Sequence, residues 1–323
     1  MKLSFEQIKG IVQGAVYVDM NGACMQFHRF TKEQEEVYDV SQYHPKQYAT
    51  AGVRLWFMTD SKSLDMKVVI SKGSSRKFWA HDVVVNGTMI GSFQNETEED
   101  IFGEFEKHFD LGEGEKSVCI YMPWSACSML KEMILDDGSY VKPVKKDKKV
   151  LIYGDSITQG YDALNPINRY AGNLANALDA EEINKAIGGE KFCPWLAEAK
   201  EDFEPDYISV AYGTNHWHRA TSEQFREICD EFYGNLVKNY PNAKIYALTP
   251  IWRKDRTDQT GFRDFEEIGE IIAGVVKKYD NIECISCRDF VPEDETLFSD
   301  LYLHPNDAGF EYYSEGVKKA ILM

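Results

Sequence analysis

Hydrophobic and polar positions follow two different periods along this chain. From about residue 14 to 140 the period is two: Val53, Leu55 and Phe57 alternate with Arg54, Trp56 and Met58, and Leu64, Met66, Val68 and Ile70 alternate with Asp65, Lys67 and Val69. Successive side chains on a strand point to opposite faces, so this spacing predicts half-buried strands. In HDVVVNGTMIGSF, Asn86-Gly87 separates two apolar runs and predicts a tight hairpin. SVCIYMPW and KEMILDDG add strands, and only Phe5 to Val12 reads as a helix. The expected architecture of residues 1–142 is an antiparallel β-sandwich, jelly-roll-like.

The tract 136–149, DDGSYVKPVKKDKK, is polar, basic and carries a proline, and it reads as a linker. Beyond it the pattern changes. Strand-like runs at 149–153, 181–187, 206–212, 243–249 and 281–286 are separated by helical patterns. One helix carries Phe225, Ile228, Cys229, Phe232 and Leu236 behind a Thr221…Gln224 capping box. Others carry Phe262, Phe265, Ile268, Ile272 and Val275, and Phe310, Tyr313 and Val317. Strand alternating with helix predicts, for residues 143–323, a five-stranded parallel sheet with helices on both faces.

Charge narrows the partners. The 53 acidic residues exceed the 36 basic ones by 17, so the surface repels phosphate backbones, and nucleic acid is not an expected partner. Glu6 and Lys9 interrupt the N-terminal apolar stretch, so no signal peptide is expected, and no run reaches the length of a membrane span. Seven cysteines cannot all pair, which fits a reducing, cytoplasmic setting. Cys284 and Cys287 stand alone without a second pair, so packing is expected there rather than zinc or redox chemistry, and no metal or cofactor is expected anywhere.

Ligands of such sheets bind outside the carboxyl ends of the strands. The residues there are Asp155-Ser156, Gly188-Gly189, Gly213-Thr214-Asn215, Thr249 to Trp252, and Asp300…His304-Pro305. A hydroxyl, glycine turns, an amide, an acid and an imidazole at one edge are the parts of an acyl-transfer site. Each motif alone has a plainer reading: Gly-Asp-Ser as a helix cap, Gly188-Gly189 as a turn, His304-Pro305 as a helix start.

Four blocks, GDSITQG, NKAIGGE, AYGTN and DLYLHPND, resemble in order and spacing the signature blocks of the SGNH, or GDSL-type, hydrolases. TAGVRLWFMTDSKSL and FWAHDVVVNG are similar to the β-sandwich preceding some of these esterases. The resemblance implies a flavodoxin-like catalytic domain. In it, Ser156 is the nucleophile, His304 the base, and the Ser156 N–H, Gly189 N–H and Asn215 amide form the oxyanion hole. Gly188 is adjacent, but the position five after Asn184 fits the block and gives Gly189.

Two departures stand out. The family's acid lies three residues before its histidine, whereas Asp300 lies four before His304. An extended segment would turn that carboxylate away, and a helical turn would bring it back; a backbone carbonyl orienting the ring is the alternative. His216 follows Asn215 where the family commonly has Asp. With Trp217 it is expected either to shape substrate choice or to belong to a solvated loop, and Trp252 either to line a substrate pocket or to pack in the core or rim. The leading expectation is a serine esterase for small acyl esters, O-acetyl groups on carbohydrates foremost. A thioesterase or lysophospholipase is the nearest rival, and a sugar-binding protein with a decayed site comes from another class. A flavodoxin-like phosphate-binding reading lacks the glycine spacing and leaves His304 unexplained. The expected partner is an acylated sugar, with no membrane; the oligomeric state stays open.

Overall fold

The structure, a computed structural model, describes residues 1–99, 101–256 and 258–322. The chain divides into two compact units. One holds Met1–Asp147 with Leu164–Ile167 and Glu181–Ile183, and the other holds Lys148–Ala163, Asn168–Ala180 and Asn184–Met323.

The first unit is built on two antiparallel sheets, as the period of two predicts. One orders the strands Tyr17–Asn21, Cys24–His28, Ala126–Leu135, Ser63–Lys72 and Gly103–Asp110. The other orders Val12–Gln13, Arg54–Thr59, Lys116–Tyr121, Ala80–Val85 and Thr88–Gln94. Leu64, Met66, Val68 and Ile70 join Leu55, Phe57, Val118 and Ile120 in one buried core. Burying a side chain of this size contributes about 1.5–3 kcal/mol, so these alternating positions decide which face of each strand turns inward. Asn86 and Gly87 both have positive φ, 49° and 82°, and pair Val85 with Thr88 in the expected hairpin.

Two features differ from expectation. A second helix, Lys32–Asp39, is opened by a Thr31…Gln34 capping box; its largely polar surface hides it from a hydrophobic-pattern search. The expected boundary at 142/143 falls at 147/148, because Lys142 and Pro143 pair with Met58 and Phe57 of the first unit. The segment that reads as a linker is partly an edge strand.

The second unit carries a five-stranded sheet ordered Ala180–Asn184, Lys148–Gly154, Tyr207–Ala211, Lys244–Leu248 and Ile282–Ile285. Its pairings are parallel, for example Leu151 with Ile208 and Ala247 with Cys284. Val150, Leu151, Ile152 and Tyr153 are all fully buried, as a strand covered on both faces requires. Main helices are Tyr170–Ala177, Ser222–Asn239, Glu266–Val276 and Asp307–Leu322. This order, in sequence 2-1-3-4-5, reverses direction between Lys148–Gly154 and Tyr207–Ala211. The crevice at such a reversal is where flavodoxin-like folds bind ligands. No helix among the described residues is long and apolar enough to cross a membrane. All seven cysteines are free of disulfides.

Candidate active site

Strand Lys148–Gly154 ends at the crevice, and Asp155 caps the short helix Ser156–Gln159 by accepting the Ile157 N–H at 3.0 Å. Gly154 is required there, since a Cβ would stand 2.1 Å from Thr158 Oγ1. Burial pushes the Asp155 carboxyl up to about 7, against the Ile157 N–H bond and the nearby charges of His304 and Arg253. The sharp turn places Ser156 Oγ 2.9 Å from His304 Nε2.

His304 Nδ1 lies 2.6 Å from Asp300 Oδ2. A carboxylate only accepts, so Nδ1 carries the proton and Nε2 accepts the Ser156 hydroxyl. The other Asp300 oxygen, Oδ1, accepts the N–H groups of Tyr302, Leu303 and His304 at 3.1, 2.8 and 3.0 Å. Burial alone would raise the Asp300 carboxyl. The bond from His304 and the Leu303 and His304 N–H groups outweigh it and hold the carboxyl well below its usual range.

The turn is not the helical one expected. Residues 299–300 form a turn and 301–304 a run of bends, with Leu301 at φ +63° and Phe298 bridged to Pro305. The Ser299 N–H closes the loop onto the His304 carbonyl at 2.8 Å. A helix would direct its N–H groups to carbonyls four residues back; this loop converges three of them on one carboxylate oxygen. The extra residue between acid and histidine is absorbed by the left-handed Leu301.

Gly188-Gly189 and Asn215 lie on the loops after the two strands that flank Lys148–Gly154. Gly188 N–H is occupied by Gln159 Oε1 at 2.8 Å, and a Cβ at 188 would meet the Tyr161 ring at 2.4 Å. Gly189, at φ +87°, has no acceptor for its N–H among the described residues. The same holds for the Ser156 N–H. Asn215 Nδ2 donates one hydrogen to Glu190 O at 2.9 Å and keeps the second. The loop bearing Asn215 is fastened by buried Arg253, which donates to Thr214 O at 2.8 Å and grips Asp255 with two nitrogens.

Other sequence expectations fare differently. His216 is 1% exposed and packs against Phe192 and Phe225, with neither ring nitrogen hydrogen-bonded. Burial, aided by the charge of Lys191, pushes it down to about 3. Trp217 packs on Phe262 and Phe265, and Trp252 on Phe298; both are buried. His216, Trp217 and Trp252, named as candidate substrate contacts, are packed among these rings in the structure. Sequence reasoning missed Arg253 and Asp162. Asp162 Oδ2 stands 3.8 Å from His304 Nδ1, and its position six residues after Ser156 carries no signal of that approach.

A flavodoxin-like sheet with a hydroxyl, an imidazole and a carboxylate in one line at its reversal point defines a hydrolase-type unit. Residues 152–312 match the family described as GDSL-like lipase/acylhydrolase, and the second unit is a domain of that family, a carboxylic ester hydrolase. A search among curated proteins finds no match. Among solved structures, the fold is similar to a salicylyl-acyltransferase from a tetracycline biosynthetic pathway, at 21% identity over 96% of this chain and 94% of that one, TM-score 0.82. It is similar to a family two carbohydrate esterase from Cellvibrio japonicus, at 16% identity over 98% and 95%, TM-score 0.67. A third, from Clostridium thermocellum and solved with cellohexaose, matches at 15% over 84% and 92%, TM-score 0.66.

Proposed function

We propose that the protein is a serine esterase that removes small acyl groups, O-acetyl foremost, from carbohydrate. The observation that carries this reading is the unbroken relay from Ser156 Oγ to His304 Nε2 at 2.9 Å and from Nδ1 to Asp300 at 2.6 Å. Ser156 attacks the ester carbonyl as its proton passes to Nε2. The oxyanion is met by the N–H groups of Ser156 and Gly189 and the free amide hydrogen of Asn215, donors worth about a hundred- to a thousand-fold in rate apiece. His304 then gives the proton to the leaving alkoxide, and the alcohol departs. Water, deprotonated by His304, attacks the acyl-serine; the acid leaves and the serine is restored.

Carbohydrate is supported by the shared fold of family two carbohydrate esterases, one of them solved with cellohexaose. The test is hydrolysis of p-nitrophenyl esters alongside acetylated sugars. We expect rates to fall from acetate to octanoate, and Ser156→Ala to lose activity while staying folded. A Ser156→Ala variant retaining more than a trace of kcat would overturn the reading; preference for octanoate would move it to lipid esters.

A further inference from the structure

We propose that Asp162 is a second acid of this site, a positioning residue that holds positive charge on the His304 ring from the Nδ1 side. The inference rests on the catalytic reading above, since it concerns the same histidine.

Asp162 Oδ2 lies 3.8 Å from Nδ1, beyond hydrogen-bond length but at full electrostatic range. Its side chain is 13% exposed, so water screens it only partly. It sits at φ +71°, a conformation that Asp and Asn tolerate and other non-glycine residues avoid. Ser299 Oγ donates to the Asp162 carbonyl at 3.4 Å, linking this backbone to the histidine loop.

The groups facing His304 divide the work. On its own loop, Asp300 takes the Nδ1 proton and is fixed by three backbone N–H bonds. Asp155, at the strand end, is buried and interacts with the ring through its charge. The Tyr161 ring stacks on the imidazole at 5.7 Å. Ser156 holds Nε2. Asp162 thus adds a second carboxylate beside one N–H. Two carboxylates at one point repel unless a cation stands between them. That cation is the imidazolium formed when Nε2 takes the serine proton. Asp162 therefore favours the charged ring and steadies it while the alkoxide leaves.

Asp162→Asn is the decisive variant, because Asn matches the size, tolerates the left-handed turn and removes the charge. We expect unchanged thermal stability and a plateau kcat lower by about ten-fold. The acidic limb of kcat/KM should move to lower pH, because a carboxylate beside the ring favours its charged form. A lower plateau with an unmoved limb would reduce Asp162 to a turn residue and overturn the proposal. Ring titration of His304 by NMR in the resting protein reads the same shift without turnover. A downward move of its midpoint in Asp162→Asn supports the proposal, and an unmoved midpoint overturns it. The titration reads the ring whether or not the wild type hydrolyses an ester, so its failure and the failure of the esterase reading are distinguishable.

Discussion

In the proposed mechanism Asp300 is the residue on which the chemistry turns. One oxygen is held by three backbone N–H groups, and the other faces Nδ1. In Asp300→Asn the amide oxygen keeps the three backbone bonds, so the NH2 group is forced toward Nδ1. The ring must then present Nε2–H to Ser156, the wrong tautomer for a base. We expect kcat to fall by about ten-thousand-fold, as in triads that lose their acid this way. A kcat within a few-fold of wild type would leave a two-residue Ser156–His304 mechanism. The D-x-x-x-H spacing already posed this question in the sequence, but not its answer. Whether four residues form a helix or a loop depends on Leu301 adopting a positive φ, which leucine's own preferences disfavour and only the surrounding bonds impose.

At the scale of elements, strands were the most legible part. Each strand-like run in the second half became a strand of the parallel sheet within a few residues, most plainly Lys148–Gly154, whose central residues are buried on both faces. The Asn86-Gly87 turn was equally plain. Loops after strands were read by residue type but not by direction, and the 3₁₀ turn Thr214–His216 shows the difference. It leaves Asn215 half-buried and turns the His216 ring inward among Phe192 and Phe225. A histidine whose folded pKa lies at about 3 cannot charge until far below its unfolded value of about 6.5. The unfolded chain binds the extra proton between those values, so this contribution to stability is complete above about pH 6.5 and is lost as pH falls toward 3. His216→Phe should therefore raise the melting temperature more at pH 4 than at pH 8 and leave KM unchanged. A raised KM would return His216 to the substrate surface.

Over the whole molecule, the excess of 17 negative charges separates the candidate substrates. A neutral acetylated sugar feels little of that field, whereas a thioester carried on a phosphate-rich handle is repelled until salt screens it. We expect kcat/KM for acetylated sugars to stay flat from about 20 to 200 mM salt; a several-fold rise with an anionic acyl thioester as the better substrate would favour a thioesterase. Charge also makes the lysine-rich stretch before residue 150 conspicuous as a target for trypsin-like proteases. Its backbone is less available than its composition suggests. Lys142 and Pro143 are in a strand, the Val144 N–H bonds Trp56 O at 3.1 Å, and the Lys146 ammonium rests 5.1 Å from the centre of the Trp56 ring. A protease must draw its substrate out as a free extended chain, and here that means first peeling an edge strand away. Brief digestion of the native protein should spare this stretch, and Trp56→Ala should turn it into an early cut.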